Sequence, residues 1–203
     1  MRQSDKKEQT RGRVLAAAQV VFSRHGYHEA TLREIAAAAG VSKGAVYYNF
    51  SSKDELFLAL LEVRMTERLR EIRAVYGRDS TADASARAAR DYVNNLKRNR
   101  DWIALFFEFV AHAARDEQFG AQFAARFKRF WGELAGVVEQ RAHEEGVALP
   151  LPAEQLAIAI DVLGIGFMIP RIVDPERVPD DLLPKALGYM LRGVVEAAAD
   201  ETS

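Results

Sequence analysis

The sequence predicts an all-α protein of about nine helices, and three observations support that fold class. Apolar residues recur at helical spacing in nearly every window of the 203-residue chain. No stretch shows the sustained alternation of a half-buried strand between turn signals. Capping pairs such as Thr31 with Glu34 and Ser52 with Glu55 stand where periodic segments begin. We expect an N-terminal three-helix helix-turn-helix module followed by a larger helical domain.

The first three helices follow one another closely along the chain. The first is expected over about residues 8–25, with an apolar face, and it should end at Gly26. The second begins after Thr31 and ends at Gly40, because glycine adopts the positive φ of a tight reversal without a side-chain clash. Ser42 caps the third helix, which runs over about residues 43–49.

The fourth helix is expected to be long. It should begin after the cap at Ser52 and end near Gly77, with an apolar face that starts at Leu58, so some 24 residues span about 36 Å at the rise of an α-helix. A helix of that length is suited to act as a mechanical connector. A polar break over residues 77–84 should follow, and the remaining helices are expected over about residues 84–99, 101–115, 116–145, 153–173 and 180–199.

The charge distribution divides the chain into two predicted domains. Residues 1–53 hold nine Lys or Arg and four Asp or Glu, whereas residues 54–203 hold nineteen and twenty-five. DNA affinity comes largely from cations that displace counterions from phosphate, so only the first part is equipped for that partner. We therefore predict a DNA-binding domain over residues 1–53 and a separate helical domain with another role over residues 54–203.

Several classes of protein are disfavoured by composition. The chain has no cysteine, and we found no apolar run near the roughly 18 residues of a membrane span and no signal-peptide core. It also lacks a Gly-rich phosphate loop, a nucleophile elbow and His residues at metalloprotease spacing. We expect a soluble, cytoplasmic protein that is not an enzyme, carries no cofactor or metal and does not bind membranes.

The segment from Thr31 to Lys53, TLREIAAAAGVSKGAVYYNFSSK, has the order of parts that a DNA-reading helix-turn-helix requires. Val46 and Phe50 of its second helix should be buried, which leaves a basic and aromatic surface for the major groove. Two adjacent tyrosines cannot both face one core at 100° per residue, so at least one of Tyr47 and Tyr48 should be exposed.

These residues resemble the DNA-binding region of the TetR family of transcriptional regulators. The similarity covers roughly residues 10–60 and rests on TLREIA, GVSKGAVYYNFSSKDELF and an N-terminal helix that ends FSRHGY. The resemblance implies an all-helical homodimer whose N-terminal module binds a palindromic operator in double-stranded DNA. It also implies that residues 54–203 form an effector-binding and dimerisation domain, with a pocket for a small molecule that releases the DNA.

The resemblance further implies roles for individual residues. It assigns base contacts to Arg33, Lys43, Ala45 and Tyr48, and phosphate contacts to Thr31, Tyr47, Asn49 and Lys53. An arginine that contacts guanine through two hydrogen bonds contributes about 1–3 kcal/mol of discrimination. The capping residue Ser42 and Gly44, which lets the backbone come close to DNA, complete the predicted DNA-binding set.

The second predicted domain contains a concentrated aromatic zone, with nine of the nineteen aromatic residues between Trp102 and Trp131. Its phenylalanines recur every three or four residues, so they either fill a solid core or line a pocket for an apolar or aromatic ligand. Glu108 and His112 either pair with each other across one helical turn or contact that ligand. The candidate ligand-binding residues are Phe106, Glu108, Phe109, His112, Phe123, Phe127, Trp131 and Phe167.

The last two helices carry apolar residues on more than one face, and one chain can leave part of that surface uncovered. Two helices from each protomer would form a four-helix interface, which is the arrangement found in the TetR family that the chain resembles. The candidate interface residues are Leu163, Phe167, Leu187, Met190, Leu191 and Val194.

The sequence therefore favours a homodimeric repressor that a small, apolar or aromatic effector releases from a palindromic operator. The alternative is a DNA-binding dimer whose second domain has no small-molecule ligand and serves only dimerisation or protein docking.

Overall fold

A computed structural model describes residues 3–76, 81–98 and 100–200, and all regular secondary structure in those ranges is helical. In this described part, the all-α class and the expected number of helices are confirmed. The helices are α1 (Gln3–Glu29), α2 (Leu32–Ala39), α3 (Lys43–Asn49), α4 (Lys53–Tyr76), α5 (Thr81–Arg98), α6 (Arg100–Ala113), α7 (Glu117–Glu145), α8 (Ala153–Val173) and α9 (Leu182–Asp200).

The observed boundaries differ from the predicted ones by a few residues. Helix α1 leaves helical geometry at Gly26, where φ is 72° and ψ is 173°, and one short turn completes it. The predicted stop is therefore correct, but α1 begins five residues earlier than expected. Helix α5 begins at Thr81 rather than near residue 84. Of the predicted polar break, residues 77–80 lie outside the described residues.

The first compact unit comprises Met1–Met65 and Arg100–Arg126. Helix α1 packs against α2, α3 and α6. Fully buried aromatic side chains from several helices form the core, and the rings of Phe57 and Phe109 stack with centroids 3.3 Å apart. The unit extends past Lys53 and includes α6, so packing groups part of the aromatic zone with the helix-turn-helix. The domain boundary after Lys53 stays a prediction.

The second compact unit comprises Thr66–Asn99 and Phe127–Ser203. Helix α9 packs against α5 and α8. Buried apolar side chains such as Leu69, Val93, Leu134, Leu156 and Phe167 form its core.

Helix α8 corrects the expectation that no apolar segment approaches the length of a membrane span. Within the described part of the chain, it is the helix whose length and composition would allow it to cross a membrane. Core helices of soluble proteins share both properties. Asp161 lies in the middle of α8, buried and hydrogen-bonded to Trp131, and it marks a side of the helix that packs on protein.

Candidate nucleic-acid interface and apolar cavity

The helix-turn-helix is held by caps at each end of α2. The N–H of Glu34 donates to Oγ1 of Thr31 at 3.2 Å, and the N–H of Thr31 donates to the Glu34 carboxylate at 2.9 Å. Oγ1 of Thr31 also donates to that carboxylate at 2.7 Å, and this hydrogen bond, followed by the one from the Thr31 N–H, lowers the pKa of Glu34. At the other end, Gly40 has φ 61°, and its N–H donates to the carbonyl of Ala37. The capping box and the glycine turn predicted from sequence are both confirmed.

Helix α3 presents a basic and aromatic surface. Ser42 caps it by accepting from the N–H of Ala45 at 3.1 Å, while Val46 and Phe50 are buried beneath it. Tyr47 is 48% exposed and Tyr48 is 71% exposed, so both tyrosines are available to a partner. Their position agrees with the prediction that at least one of the two lies outside the core.

Cations cover the faces of these two rings. The ammonium of Lys43 lies 5.6 Å from the centroid of Tyr47, and that of Lys7 on α1 lies 5.2 Å from the centroid of Tyr48. The exposed surface of α3 therefore combines positive charge with phenol hydroxyls, which suits contacts to phosphate oxygens and to base edges.

The ten predicted DNA-binding residues divide by exposure. Seven are exposed: Thr31, Arg33, Ser42, Lys43, Gly44, Tyr47 and Tyr48. Ala45, Asn49 and Lys53 are half-buried. Nδ2 of Asn49 donates to the carbonyl of Ala45 at 2.8 Å, so part of that amide is engaged within α3.

Lys53 has a structural task that the sequence did not indicate. Its ammonium donates to the carbonyl oxygens of Tyr27, His28 and Ala30 at 2.7, 3.2 and 3.2 Å, and it lies over the Tyr27 ring. Burial lowers the pKa of Lys53, and Asp54 opposes that shift. Lys53 therefore fastens the end of α1 to the start of α4, and its phosphate contact stays a prediction.

Glu108 and His112 contact other residues of the first unit rather than each other, so the first of the two alternatives, a pair across one helical turn, is wrong. The carboxylate of Glu108 accepts from the N–H of Tyr27 at 2.5 Å and lies against Gly26. Nε2 of His112 lies 3.5 Å from the carboxylate of Asp54, and its ring packs on Phe119 and Tyr27. Both side chains thus brace the end of α1.

Tyr27 is the centre of this bracing cluster. Its hydroxyl donates to Asp54, and its ring packs on Phe57 with centroids 4.5 Å apart. Burial, with the hydrogen bond to Asp54 as the second cause, raises the pKa of Tyr27.

The second unit contains an apolar cavity that is partly open at the surface. It offers about 90 Å³ to the centres of water-sized molecules, several times what one buried water needs. Most of its lining is aliphatic, from α4, α5, α7, α8, α9 and the loop after α7. The lining residues are Arg68, Glu71, Ile72, Val75, Ser85, Ala88, Ala89, Asp91, Tyr92, Leu134, Val137, Val138, Arg141, Ala142, Glu145, Val147, Leu149, Leu156, Ile160, Leu183, Leu187, Leu191 and Val194.

None of the eight candidate ligand-binding residues lines this cavity. Phe106, Glu108, Phe109, His112 and Phe123 belong to the first unit, whereas Phe127, Trp131 and Phe167 belong to the second unit but lie outside the lining. Phe106, Phe109, Phe127 and Phe167 are buried as core. Their burial agrees with the solid-core interpretation, and a contact of these four phenylalanines with a ligand stays a prediction.

A sequence signal for the cavity was present but missed. Arg68 occupies the apolar stripe of α4, with Met65 three residues before it and Ile72 four residues after it. Arg141 interrupts the stripe of α7 in the same way, since Val138 precedes it by three residues. A charged residue on the core face of an otherwise apolar helix is costly to bury, so it marks a functional candidate.

Polar groups near the cavity are linked by hydrogen bonds. Nε1 of Trp131 donates to the buried carboxyl of Asp161 at 2.9 Å. Burial raises the pKa of Asp161, while Trp131 and Arg68 oppose the shift. The hydroxyl of Tyr92 donates to the carbonyl of Gly164 at 3.4 Å, and burial raises the pKa of Tyr92 to about 12.

The candidate dimer residues are mostly not on the surface. Phe167 and Leu187 are buried, and Leu187, Leu191 and Val194 line the cavity. The exposed apolar residues of α8 form a different stripe, at helical spacing along one face: Val162, Ile169, Ile172 and Val173. Leu163 and Met190 are half-buried.

A capped helix-turn-helix with a basic, tyrosine-bearing second helix, on a chain that also contains an apolar cavity, is the architecture of a transcriptional regulator. Two family models match the chain. The model described as bacterial regulatory proteins, tetR family, matches residues 14–60, and that described as BetI-type transcriptional repressor, C-terminal, matches residues 81–196. The chain belongs to the TetR family of DNA-binding transcriptional regulators, and it is not an enzyme.

Two relatives illustrate the range of similarity. The HTH-type transcriptional activator FasR of Mycolicibacterium smegmatis is 37% identical over 106 residues, which make up 52% of this chain but only 42% of FasR. The HTH-type transcriptional repressor Rv1474c of Mycobacterium tuberculosis is 25% identical over 178 residues, which cover 83% of this chain and 86% of the relative.

Solved structures share the fold at low sequence identity. FadR from Bacillus subtilis, solved with stearoyl-CoA, has a TM-score of 0.70 at 16% identity, with 89% of this chain and 96% of FadR covered. A regulator from Saccharomonospora viridis, solved with choline, has a TM-score of 0.67 at 18% identity, with 91% and 96% covered.

Proposed function

We propose that the chain is a homodimeric repressor that binds a palindromic operator through α3 and is released by a small apolar effector in the cavity of the second unit. The observation that carries the DNA-binding role is the exposed surface of α3. One face of α3 exposes the side chains of Lys43, Tyr47 and Tyr48. The opposite face packs on the core through the buried Val46. Such a protein would work in the bacterial cytoplasm, where the DNA is.

Homodimerisation is supported by the apolar stripe on α8. Ile169 is 51% exposed and Val173 is 77% exposed, and contiguous apolar surface of this kind is typical of an interface. A two-fold dimer would place two copies of α3 on successive turns of DNA, which explains why a palindrome is the expected target. We propose this stripe, together with the exposed Leu182 and Tyr189 of α9, as the interface.

Effector release is supported by the cavity. Linkage requires that an effector bind the DNA-free state more tightly than the DNA-bound state, and the opposition is then reciprocal. The description of the second family model as repressor-type favours repression over activation. The alternative is that the second unit only mediates dimerisation or docks another protein, in which case no small molecule would change DNA affinity.

The first experiment is selection of bound sequences from a random double-stranded DNA pool at a fixed salt concentration, because phosphate contacts depend on salt. Wild-type protein should enrich a palindrome. Tyr47→Ala and Lys43→Ala should each lose that enrichment.

Lys128→Ala serves as the control, since Lys128 is exposed on α7 and outside the proposed interface with DNA. It should enrich the same palindrome as the wild type. Failure of the wild type to enrich any sequence, or equal enrichment by Tyr47→Ala, would show that α3 is not the reading helix.

A further inference from the structure

The polar groups of the cavity differ in sign and in depth. Glu71 and Asp91 are exposed, whereas Arg68 and Arg141 are half-buried. The acidic side chains can therefore remain in water at the rim, while the two guanidinium groups are held closer to the aliphatic lining. A ligand that enters the cavity therefore passes acidic side chains at the rim, and the two arginines are the positive charges beside its apolar lining.

The two arginines are not equivalent. Arg141 donates to Glu144 and Glu145, each at 2.8 Å, so its charge is balanced within α7. Arg68 lies 3.7 Å from the centroid of the Tyr92 ring. Arg68 makes no hydrogen bond or ion pair to the residues that the structure describes. Five N–H donors of one guanidinium are thus available beside an apolar cavity.

The chemistry of a complementary ligand follows from this arrangement. A planar guanidinium matches a carboxylate or a phosphate through two parallel hydrogen bonds, which are stronger when both partners are charged. A quaternary ammonium group would need open aromatic faces. The one aromatic side chain of the described lining is Tyr92, and Arg68 already covers a face of its ring.

We propose that the effector is an amphipathic anion whose apolar body fills the aliphatic cavity and whose carboxylate or phosphate head binds Arg68. This inference rests on the proposed role of the cavity as the effector site. It differs from what family membership alone provides, since chains of the same fold have been solved with ligands as unlike as stearoyl-CoA and choline.

Asp161 gives the proposal a second, opposite test. Its carboxyl is buried, bound by Trp131, and close enough to Arg68 for their charges to interact. An ionised Asp161 competes with a ligand anion for the field of Arg68. Replacing it with asparagine would remove that competition while leaving an oxygen to accept from Trp131.

The experiment compares three probes that share one apolar chain and differ in head group. Octanoate, octanol and octyltrimethylammonium, below their micelle-forming concentrations, are titrated into the DNA-free full-length protein by calorimetry and thermal shift. Octanoate should bind at least about tenfold more tightly than octanol, as a charge-assisted hydrogen bond to arginine implies. Octyl phosphate distinguishes a phosphate head from a carboxylate head.

Substitutions then test whether Arg68 causes the tighter binding of octanoate than of octanol. Arg68→Gln should remove the advantage of octanoate over octanol, and Arg68→Lys should keep part of it because the charge remains. Asp161→Asn should increase the affinity for octanoate. Arg70→Gln, an exposed arginine two residues away on α4, is the matched control and should behave as the wild type.

The proposal is overturned if no probe binds, if octanol or octyltrimethylammonium binds as well as octanoate, or if Arg68→Gln keeps the preference. Because binding is measured without DNA, these outcomes are distinct from failure of the proposed function. A protein that binds octanoate through Arg68 but whose DNA affinity is unchanged by it would keep the assignment of the anion site to Arg68 and lose the proposed effector role of the cavity.

Discussion

Lys53 shows how one side chain joins two helices that are distant in sequence. The last turn of α1 leaves carbonyl oxygens without helical partners. The ammonium of Lys53 donates to two of them, those of Tyr27 and His28, and to the carbonyl of Ala30 just after the helix. A positive charge at the C-terminal end of a helix is also favoured by the helix dipole. Lys53 is therefore a stabilising residue of the first unit, whatever its contact with DNA.

Lys53→Met should lower the free energy of unfolding by about 1–3 kcal/mol, because partly buried carbonyls lose charge-assisted hydrogen bonds. Urea unfolding measures the change. Lys43→Met, at an exposed position on α3, is the control and should stay within about 0.5 kcal/mol of the wild type. Equal losses in the two variants would contradict the structural role of Lys53.

The buried carboxyl of Asp161 predicts how stability depends on pH. Its raised pKa means that the folded protein binds this proton more tightly than the unfolded chain does. The free energy of unfolding therefore falls as pH rises from the ordinary aspartate value of about 4 through the raised value. Asp161→Asn lacks this proton.

The stability of Asp161→Asn relative to the wild type should thus increase as pH rises from about 4 toward about 8. Urea unfolding across that range gives the slope, and any constant offset from the substitution does not affect it. If instead the stability of the wild type increased relative to the variant as pH rises, the effects of Arg68 and Trp131 on the pKa of Asp161 would outweigh that of burial.

At the scale of elements, the reversal between α2 and α3 depends on one backbone conformation. Gly40 has φ 61°, and a Cβ there would lie 2.9 Å from Nη2 of Arg13. That same Nη2 donates to the carbonyls of Ala39 at 2.6 Å and Gly40 at 3.0 Å, which ties α1 to the end of α2. The geometry of the turn is thus fixed both locally and by α1.

Gly40→Ala should therefore lower the free energy of unfolding by about 1–2 kcal/mol, the usual penalty for a side chain in the left-handed region. Gly44→Ala is the matched control, because Gly44 is helical and a Cβ there meets only Oγ of Ser42, at 3.8 Å. Gly44→Ala should raise the free energy of unfolding by about 0.5–1 kcal/mol. Thermal or urea unfolding compares the two.

Gly44→Ala also isolates the predicted close approach of the backbone to DNA. A variant that is more stable yet binds the operator more weakly would support that approach. Unchanged operator affinity would remove Gly44 from the DNA-binding set.

At the scale of the whole molecule, the exposed apolar stripe of α8 is the surface proposed to form a dimer, so the oligomeric state tests its role. Its opposite face holds Leu156 and Phe167, both buried, so α8 has one side packed on protein and another side with exposed apolar residues. A helix of uniformly apolar composition with one open face is expected to bind another protein surface.

Ile169→Glu should convert the dimer to a monomer in sedimentation equilibrium and weaken binding to a full palindrome, with helical content unchanged by circular dichroism. A charge buried in an interface without a partner is the physical cause. Leu151→Glu, in the loop before α8 and 48% exposed, is the control and should remain dimeric. A dimer that survives Ile169→Glu would place the interface elsewhere.

Much of the fold was predictable because its signals are local. Caps such as Thr31 and Ser42, the glycine turn at Gly40 and the 3.6-residue periodicity act within a few residues of each other, so the sequence displays them directly. The bounds of α3 and α8 were predicted to the residue. Those of α1 and α5 were not, because helix ends fray and their polar first turns carry no periodic signal.

The sequence by itself therefore determined the helical class, the helix-turn-helix and its basic surface, since each depends on short-range geometry and on charge. Only the tertiary structure decided which apolar residues form core, cavity or surface. Phe109 stacks on Phe57 and Leu187 faces the cavity because of helices far away in the chain, and periodicity gives the apolar face of a helix without naming its neighbour. The same holds for Lys53 and Arg68, whose surroundings are assembled from segments that the linear pattern keeps apart.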